Sequence, residues 1–231
     1  MTRLLVSVRD AAEALAASAA GADVIDVKEP LHGALGAASL PTVEAVVAAL
    51  PPSAATSAVA GDHDDADALV AAARAVAGTG VSFTKVGLGA TLARPGAVAR
   101  IGRALAGSGR LVAVLFADEQ PDPGLAPHLA RAGFAGAMID TRSKTGGRLT
   151  DLMAPAELSA FVAGCRAEGL LAGLAGSLRV EDISGLASAK PDILGFRGGL
   201  CVGGDRRAPL DPARVRHAAE TLRRLARGQA A

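Results

Sequence analysis

The sequence predicts a single (β/α)8 domain, the TIM-barrel architecture, over residues 1–231, and three observations carry that expectation. Eight short apolar stretches alternate with eight helix-patterned ones, with no linker or composition break between them, which is the arithmetic of such a barrel. Half of the residues are hydrophobic, enough for one continuous core. Several strand-like stretches also end in a charged side chain followed by a glycine-rich or polar loop, where barrels of this kind place their chemistry. An open doubly wound sheet is the competing arrangement of the same alternation.

Leu4–Val8 reads as a buried strand, and Asp10 caps an alanine-rich helix that runs to about Ala20 and ends at Gly21. The second strand lies within Ala22–Pro30. Its period of two puts Ile25 and Val27 on one face and Val24, Asp26 and Lys28 on the other. Lys28 ends this strand pointing inward, and the loop that follows turns the chain outward and leaves the ammonium group at a mouth. A helix over Thr42–Leu50 follows Pro41 and stops at Pro51-Pro52. Ala55–Ala60 is a weakly patterned third strand, and Asp62–Asp67 leads into a helix through Ala77.

Val81–Leu88 is the fourth strand, with Phe83, Lys85 and Gly87 on one face, and Pro95 starts a helix that ends near Gly107. Leu111–Ala117 is a continuous apolar strand, followed after Pro121 and Pro123 by a short helix to Arg131. Gly136–Asp140 is the sixth strand and leads into the polar loop Thr141–Gly147. A helix over Pro155–Glu168 precedes the seventh strand, Leu170–Ala175, and Gly176-Ser177 precede a short helix from about Val180 to Ala187. The eighth strand, Asp192–Arg197, runs into Gly198–Gly204, and a helix from Asp211 to about Arg227 closes the chain.

The formal net charge is +1, which argues against nucleic acid or an anionic membrane as partner. Trp and Tyr are absent, so there is no stacking platform for single-stranded nucleic acid. No apolar run approaches the roughly 20 residues of a membrane span, and no basic-then-apolar leader precedes Leu4, so the expected location is the cytoplasm. Cys165 and Cys201 have no close-spaced cysteine or histidine partner; they read as reduced, partly buried side chains rather than metal ligands. No strand runs into a dinucleotide fingerprint. Neither a metal nor a cofactor is expected.

The lysines are informative because there are only four, Lys28, Lys85, Lys144 and Lys190, among 24 basic residues. In a chain that writes its surface cations as arginine, a retained lysine points to a task guanidinium cannot perform, such as forming an imine. Lys190, before Pro191 at the bottom of strand eight, reads as surface. Lys28, Lys85, Asp140 and Arg197 all lie on even strands, whose inward side chains share a layer, with Lys144 leaning in from the loop after strand six. A buried network that merely pairs its own charges is the competing reading. Crowded cations favour the neutral amine that attacks a carbonyl, so one lysine can form the imine while another shuttles protons, with Asp140 orienting or assisting.

A second constellation is glycine-rich. Gly176-Ser177, Gly198-Gly199 and Gly203-Gly204 follow strands seven and eight, where these barrels hold phosphate on backbone N–H groups, and Arg197 would add charge. Ordinary turns of a glycine-rich chain would look the same. His32 and His63 read as solvated loop histidines, and Arg223, Arg224 and Arg227 as a solvated basic face.

These segments resemble a known family. The opening Leu4–Ser7, then Gly21–Pro30 with Gly33-Ala34-Leu35-Gly36, then Thr84–Leu88, then Ile139-Asp140-Thr141 followed by Lys144 are similar to (5-formylfuran-3-yl)methyl phosphate synthases of methanofuran biosynthesis, over most of the chain. The resemblance implies a carbon-oxygen lyase acting on phosphates that condenses two molecules of glyceraldehyde 3-phosphate into a phosphorylated furan aldehyde, with loss of one phosphate and water. It implies Lys28 as the Schiff-base lysine, Lys85 as proton acceptor, and Asp140 and Lys144 as further active-site residues. The partner is then a small triose phosphate, and a homo-oligomer is the expected assembly. The archaeal pattern has another lysine near the end of strand three, where this chain has Asp62 and His63. A class I aldolase acting on another sugar phosphate, and a non-catalytic sugar-phosphate-binding barrel, stay open as alternatives.

Overall fold

The computed structural model describes residues 1–33, 35–143 and 146–228. Eight parallel strands close on themselves in chain order: β1 (Arg3–Val8), β2 (Val24–Val27), β3 (Ala55–Val59), β4 (Phe83–Gly87), β5 (Leu111–Phe116), β6 (Gly136–Asp140), β7 (Leu171–Leu174) and β8 (Ile193–Phe196). Strand β8 pairs with β1 to complete the barrel. Strand β1 begins one residue before its expected run, β6 has the expected bounds, and the other strands are shorter than their runs by one to three residues at one or both ends.

The helices are α1 (Ala11–Ala19), α2 (Leu40–Ala49), α3 (Ala66–Ala77), α4 (Pro95–Ala104), α5 (Ala126–Arg131), α6 (Leu149–Leu152), α7 (Pro155–Ala167), α8 (Ile183–Ala187) and α9 (Pro212–Gly228). Their starts follow from capping. Asp10, Ser39 and Asp65 each accept a backbone N–H of the first turn of α1, α2 and α3, which satisfies donors the helix cannot pair itself. The four-residue α6 is an element the sequence pattern does not announce.

Alternation along the strands sorts the apolar side chains into separate sets. Outward residues such as Leu4, Val6, Ile25, Val27, Val86 and Leu194 pack with the helices in the large core. Inside the barrel, Leu5, Val24, Met138, Ala175 and Ile193 form one small cluster, and Leu35, Val59, Val114 and Phe116 form another. Between them the interior is polar. The register sets Ser7 opposite Asp26, and Asp26 opposite Ser57, so one row of three inward polar residues crosses β1, β2 and β3.

Candidate active site

Lys28 follows β2 directly, and its backbone N–H donates to the Val8 carbonyl, which fixes it at the strand end. Its side chain is buried, with Nζ 4.0 Å from Asp26 Oδ2 and 3.9 Å from Asp140 Oδ2. Lys85, on β4, donates to Asp26 Oδ1 at 2.9 Å. Asp26 is fully buried and also accepts the hydroxyls of Ser7 at 3.0 Å and Ser57 at 2.6 Å. The Thr141 N–H holds Asp140 Oδ1 at 2.7 Å. The charges therefore alternate, Lys85, Asp26, Lys28, Asp140.

Burial pushes the Asp26 carboxyl up, but the charges of Lys85 and Lys28 and the bonds from Ser57 and Lys85 outweigh it and hold the group below its ordinary 3.8. Asp26 is thus ionised at neutrality. This corrects the expectation of crowded cations, because a carboxylate stands between the two lysines and compensates both. Asp26 lies two residues before Lys28 on the same face of the strand, but nothing in the sequence marks it out among the chain's other acids.

From the lysines a pocket of about 790 Å³ runs under the loops after β6, β7 and β8. Gly176 and Ser177 turn with φ of +121° and +50°, in the region that favours glycine. A Cβ on Gly199 would lie 2.3 Å from the Leu178 carbonyl oxygen, so the β7 and β8 loops touch there only because this residue is glycine. The N–H groups of Ser177, Leu178, Gly198 and Gly199 find no acceptor among the described residues. They are donors on the wall of a cavity, which suits an anion.

Arg197 lines the same pocket but differs from expectation. Its Nε donates to the Arg206 carbonyl, Nη1 to Ser7 O and Glu13, and Nη2 to Glu13 and Ala208 O. All five N–H groups are taken, so its guanidinium ties α1, β1 and the 206–208 segment together instead of converging with Lys28, Lys85 and Asp140. Even-strand parity sends the side chain inward, and Glu13 then claims it. Burial pushes the Glu13 carboxyl up, but the bond and charge of Arg197 and the contacts of Arg9 hold it below its usual 4.5.

The mouth over β3 and β5 is closed. Arg142 pairs with Asp62, Asp64 and Glu119 and lies 4.7 Å over the Phe116 ring. Asp118 accepts the N–H groups of Arg142 and Ser143, which pins the start of the β6 loop. Asp62 is thus engaged by Arg142, and His63 Nε2 sits 3.1 Å from the Ala60 carbonyl oxygen. Lys144 lies outside the described residues. Among those residues no helix is long and apolar enough to cross a membrane.

Comparison with known proteins places this site in context. A family model described as 4-HFC-P synthase matches residues 4–219. A Methylorubrum extorquens protein with the provisional name (5-formylfuran-3-yl)methyl phosphate synthase is 52% identical over 233 residues, covering 99% of this chain and 95% of its own. The (5-formylfuran-3-yl)methyl phosphate synthase of Methanopyrus kandleri is 37% identical, covering 95% of this chain and 98% of its own. Among solved structures, 3-hexulose-6-phosphate synthase from Salmonella typhimurium superposes with a TM-score of 0.69 at 15% identity, over 96% of this chain and 99% of that one. That last likeness is one of fold.

Proposed function

The chain belongs to the 4-HFC-P synthase family, and we propose that it makes (5-formylfuran-3-yl)methyl phosphate for methanofuran biosynthesis by condensing two molecules of glyceraldehyde 3-phosphate through an imine on Lys28. The observation that carries the mechanism is one buried carboxylate, Asp26, between two lysines at the inner end of a cavity whose outer wall presents backbone N–H donors.

Lys28 attacks the carbonyl of the first triose phosphate as a free amine, its proton passing to the carboxylate of Asp26 or Asp140, each within about 4 Å by the distances above. Loss of water gives the iminium, which draws electrons from the neighbouring C–H bond. Lys85 takes that proton in its free-amine form and becomes the ammonium that Asp26, its hydrogen-bond partner, compensates. The resulting enamine forms the carbon–carbon bond to the second aldehyde. One phosphate leaves with its C–O electron pair, the ring closes with further loss of water, and hydrolysis of the imine then frees Lys28 and yields the furan aldehyde. Asp140 is a further site residue, and so, by the family resemblance, is Lys144. The N–H groups of Ser177, Leu178, Gly198 and Gly199 hold a substrate phosphate, and Gly176 keeps that turn in place.

Incubation with glyceraldehyde 3-phosphate tests this reading. The expected outcome is an ultraviolet-absorbing furan aldehyde phosphate with one inorganic phosphate released per product. A six-carbon product that keeps both phosphates and does not absorb would instead mark an aldolase.

A further inference from the structure

Arg206 is a half-buried cation with work left undone. Its backbone is pinned, since its carbonyl accepts from Arg197 Nε at 2.9 Å, and a Cβ on Gly198 would lie 3.5 Å from its own Cβ. From there the side chain crosses the mouth to the β2 loop, where Nη2 donates to the Gly33 carbonyl at 2.7 Å. Its Nε is buried and has no partner among the described residues. Only Arg9 shares that condition among the described residues, and Arg9 does not line the pocket.

The other arginines of this wall are differently placed. Arg197 has every donor engaged, Arg148 is held by Asp151 and Asp182, Arg214 lies beside Asp211, and Arg179 is exposed. Burial and the nearby Arg197 push Arg206 below its ordinary value while Asp140 opposes them, and the side chain lines the same pocket as the lysines and the glycine loops. An unpaired buried donor on a charged group is costly, and an arriving anion removes the cost.

Condensation of two triose phosphates requires two phosphate groups in one cavity at once. The backbone donors at Ser177–Leu178 and Gly198–Gly199 can hold one. Resting on the functional reading above, we propose that Arg206 is the ligand for the phosphate of the second triose phosphate, forming an anion subsite separate from those loops. Guanidinium suits the task because it keeps its charge when buried and presents N–H groups in a planar fork matched to phosphate oxygens.

Arg206→Gln removes the charge and the fork, and Arg206→Lys keeps the charge alone. Borohydride trapping with glyceraldehyde 3-phosphate reads the first imine, steady-state furan formation reads the second substrate, and calorimetry with inorganic phosphate counts anion sites. In Arg206→Gln the Lys28 adduct should form as in the unmodified protein. The triose phosphate concentration at half-maximal rate should rise about tenfold or more, and bound phosphate should fall from two per chain to one. Arg206→Lys should show the same changes to a smaller degree, and it serves as the test if the glutamine variant fails to fold. Unchanged half-saturation in a folded variant overturns the proposal, as does loss of the Lys28 adduct, which would assign Arg206 to the first substrate. A single phosphate on the unmodified protein also overturns it. An unmodified protein that makes no furan would sink the functional reading alone, since phosphate stoichiometry still decides Arg206.

Discussion

The two halves of the barrel mouth are built from the same strand ends yet have opposite fates. Over β3 and β5 the inward positions carry Val59, Val114 and Phe116, which pack with Leu35 into a dry plug, and a Cβ on Gly87 would fall 2.3 Å from Leu35 Cδ1. Over β7 and β8 the inward positions are Ala175 and Gly195, and the pocket opens there. Side-chain volume decides which half is filled. The plug backs the two lysines and excludes water behind them, while the small residues opposite leave space for substrate to reach the same amines.

The contrast breaks most severely at the chemistry. Lys85→Arg keeps the partner of Asp26 but removes a usable base, so turnover should fall by about 10²–10⁴-fold while the Lys28 adduct still forms; undiminished turnover would remove Lys85 from the proton path. On the closed side, Phe116→Ala empties the plug. It should cost about 3–5 kcal/mol in urea unfolding and leave the open half able to bind phosphate, whereas a loss under about 1 kcal/mol would mean the plug collapses around the gap. Gly199→Ala sharpens the comparison from the open side. Its Cβ would press on the Leu178 carbonyl, so stability should drop by about 1–3 kcal/mol together with phosphate affinity, because the two loops carry both; an unaltered unfolding curve would show that they can part.

The smallest effect is acid sensitivity. Asp26 and Glu13 both bind protons more weakly folded than unfolded. Their contribution is complete above the unfolded values of 3.8 for Asp26 and 4.5 for Glu13 and is lost as pH falls through that range toward the folded ones. Unfolding free energy should therefore decline below about pH 4.5, and a flat profile there would contradict the ionised state of these buried carboxylates.

What could be read in the sequence was whatever repeats or is scarce. Short apolar runs alternating with helix-patterned segments located all eight strands, a period of two oriented Lys28 and Lys85 on the second and fourth, and the scarcity of lysine in an arginine-rich chain singled both out. Asp26 sat in the same pattern but was one of many acids, and only the strand register brings Ser7 and Ser57 to it. Arg197 shows the converse. Parity sent it inward, yet its partner Glu13 lies 184 residues away, a distance no local pattern spans. Arg206 belongs to an irregular loop with no period to reveal its direction. The short α6, four residues long, is below the length at which helical periodicity can be seen.

The central claim is that Lys28, placed between two carboxylates at the inner end of the open half, forms a covalent imine with substrate. Borohydride added during turnover of glyceraldehyde 3-phosphate, followed by peptide mass analysis, tests it directly. The account predicts a substrate-derived mass on the peptide containing Lys28, absent in a folded Lys28→Arg protein that still binds phosphate and shows no turnover above background. A label on Lys85 or Lys144 instead, or furan formation with no labelled lysine, would contradict it.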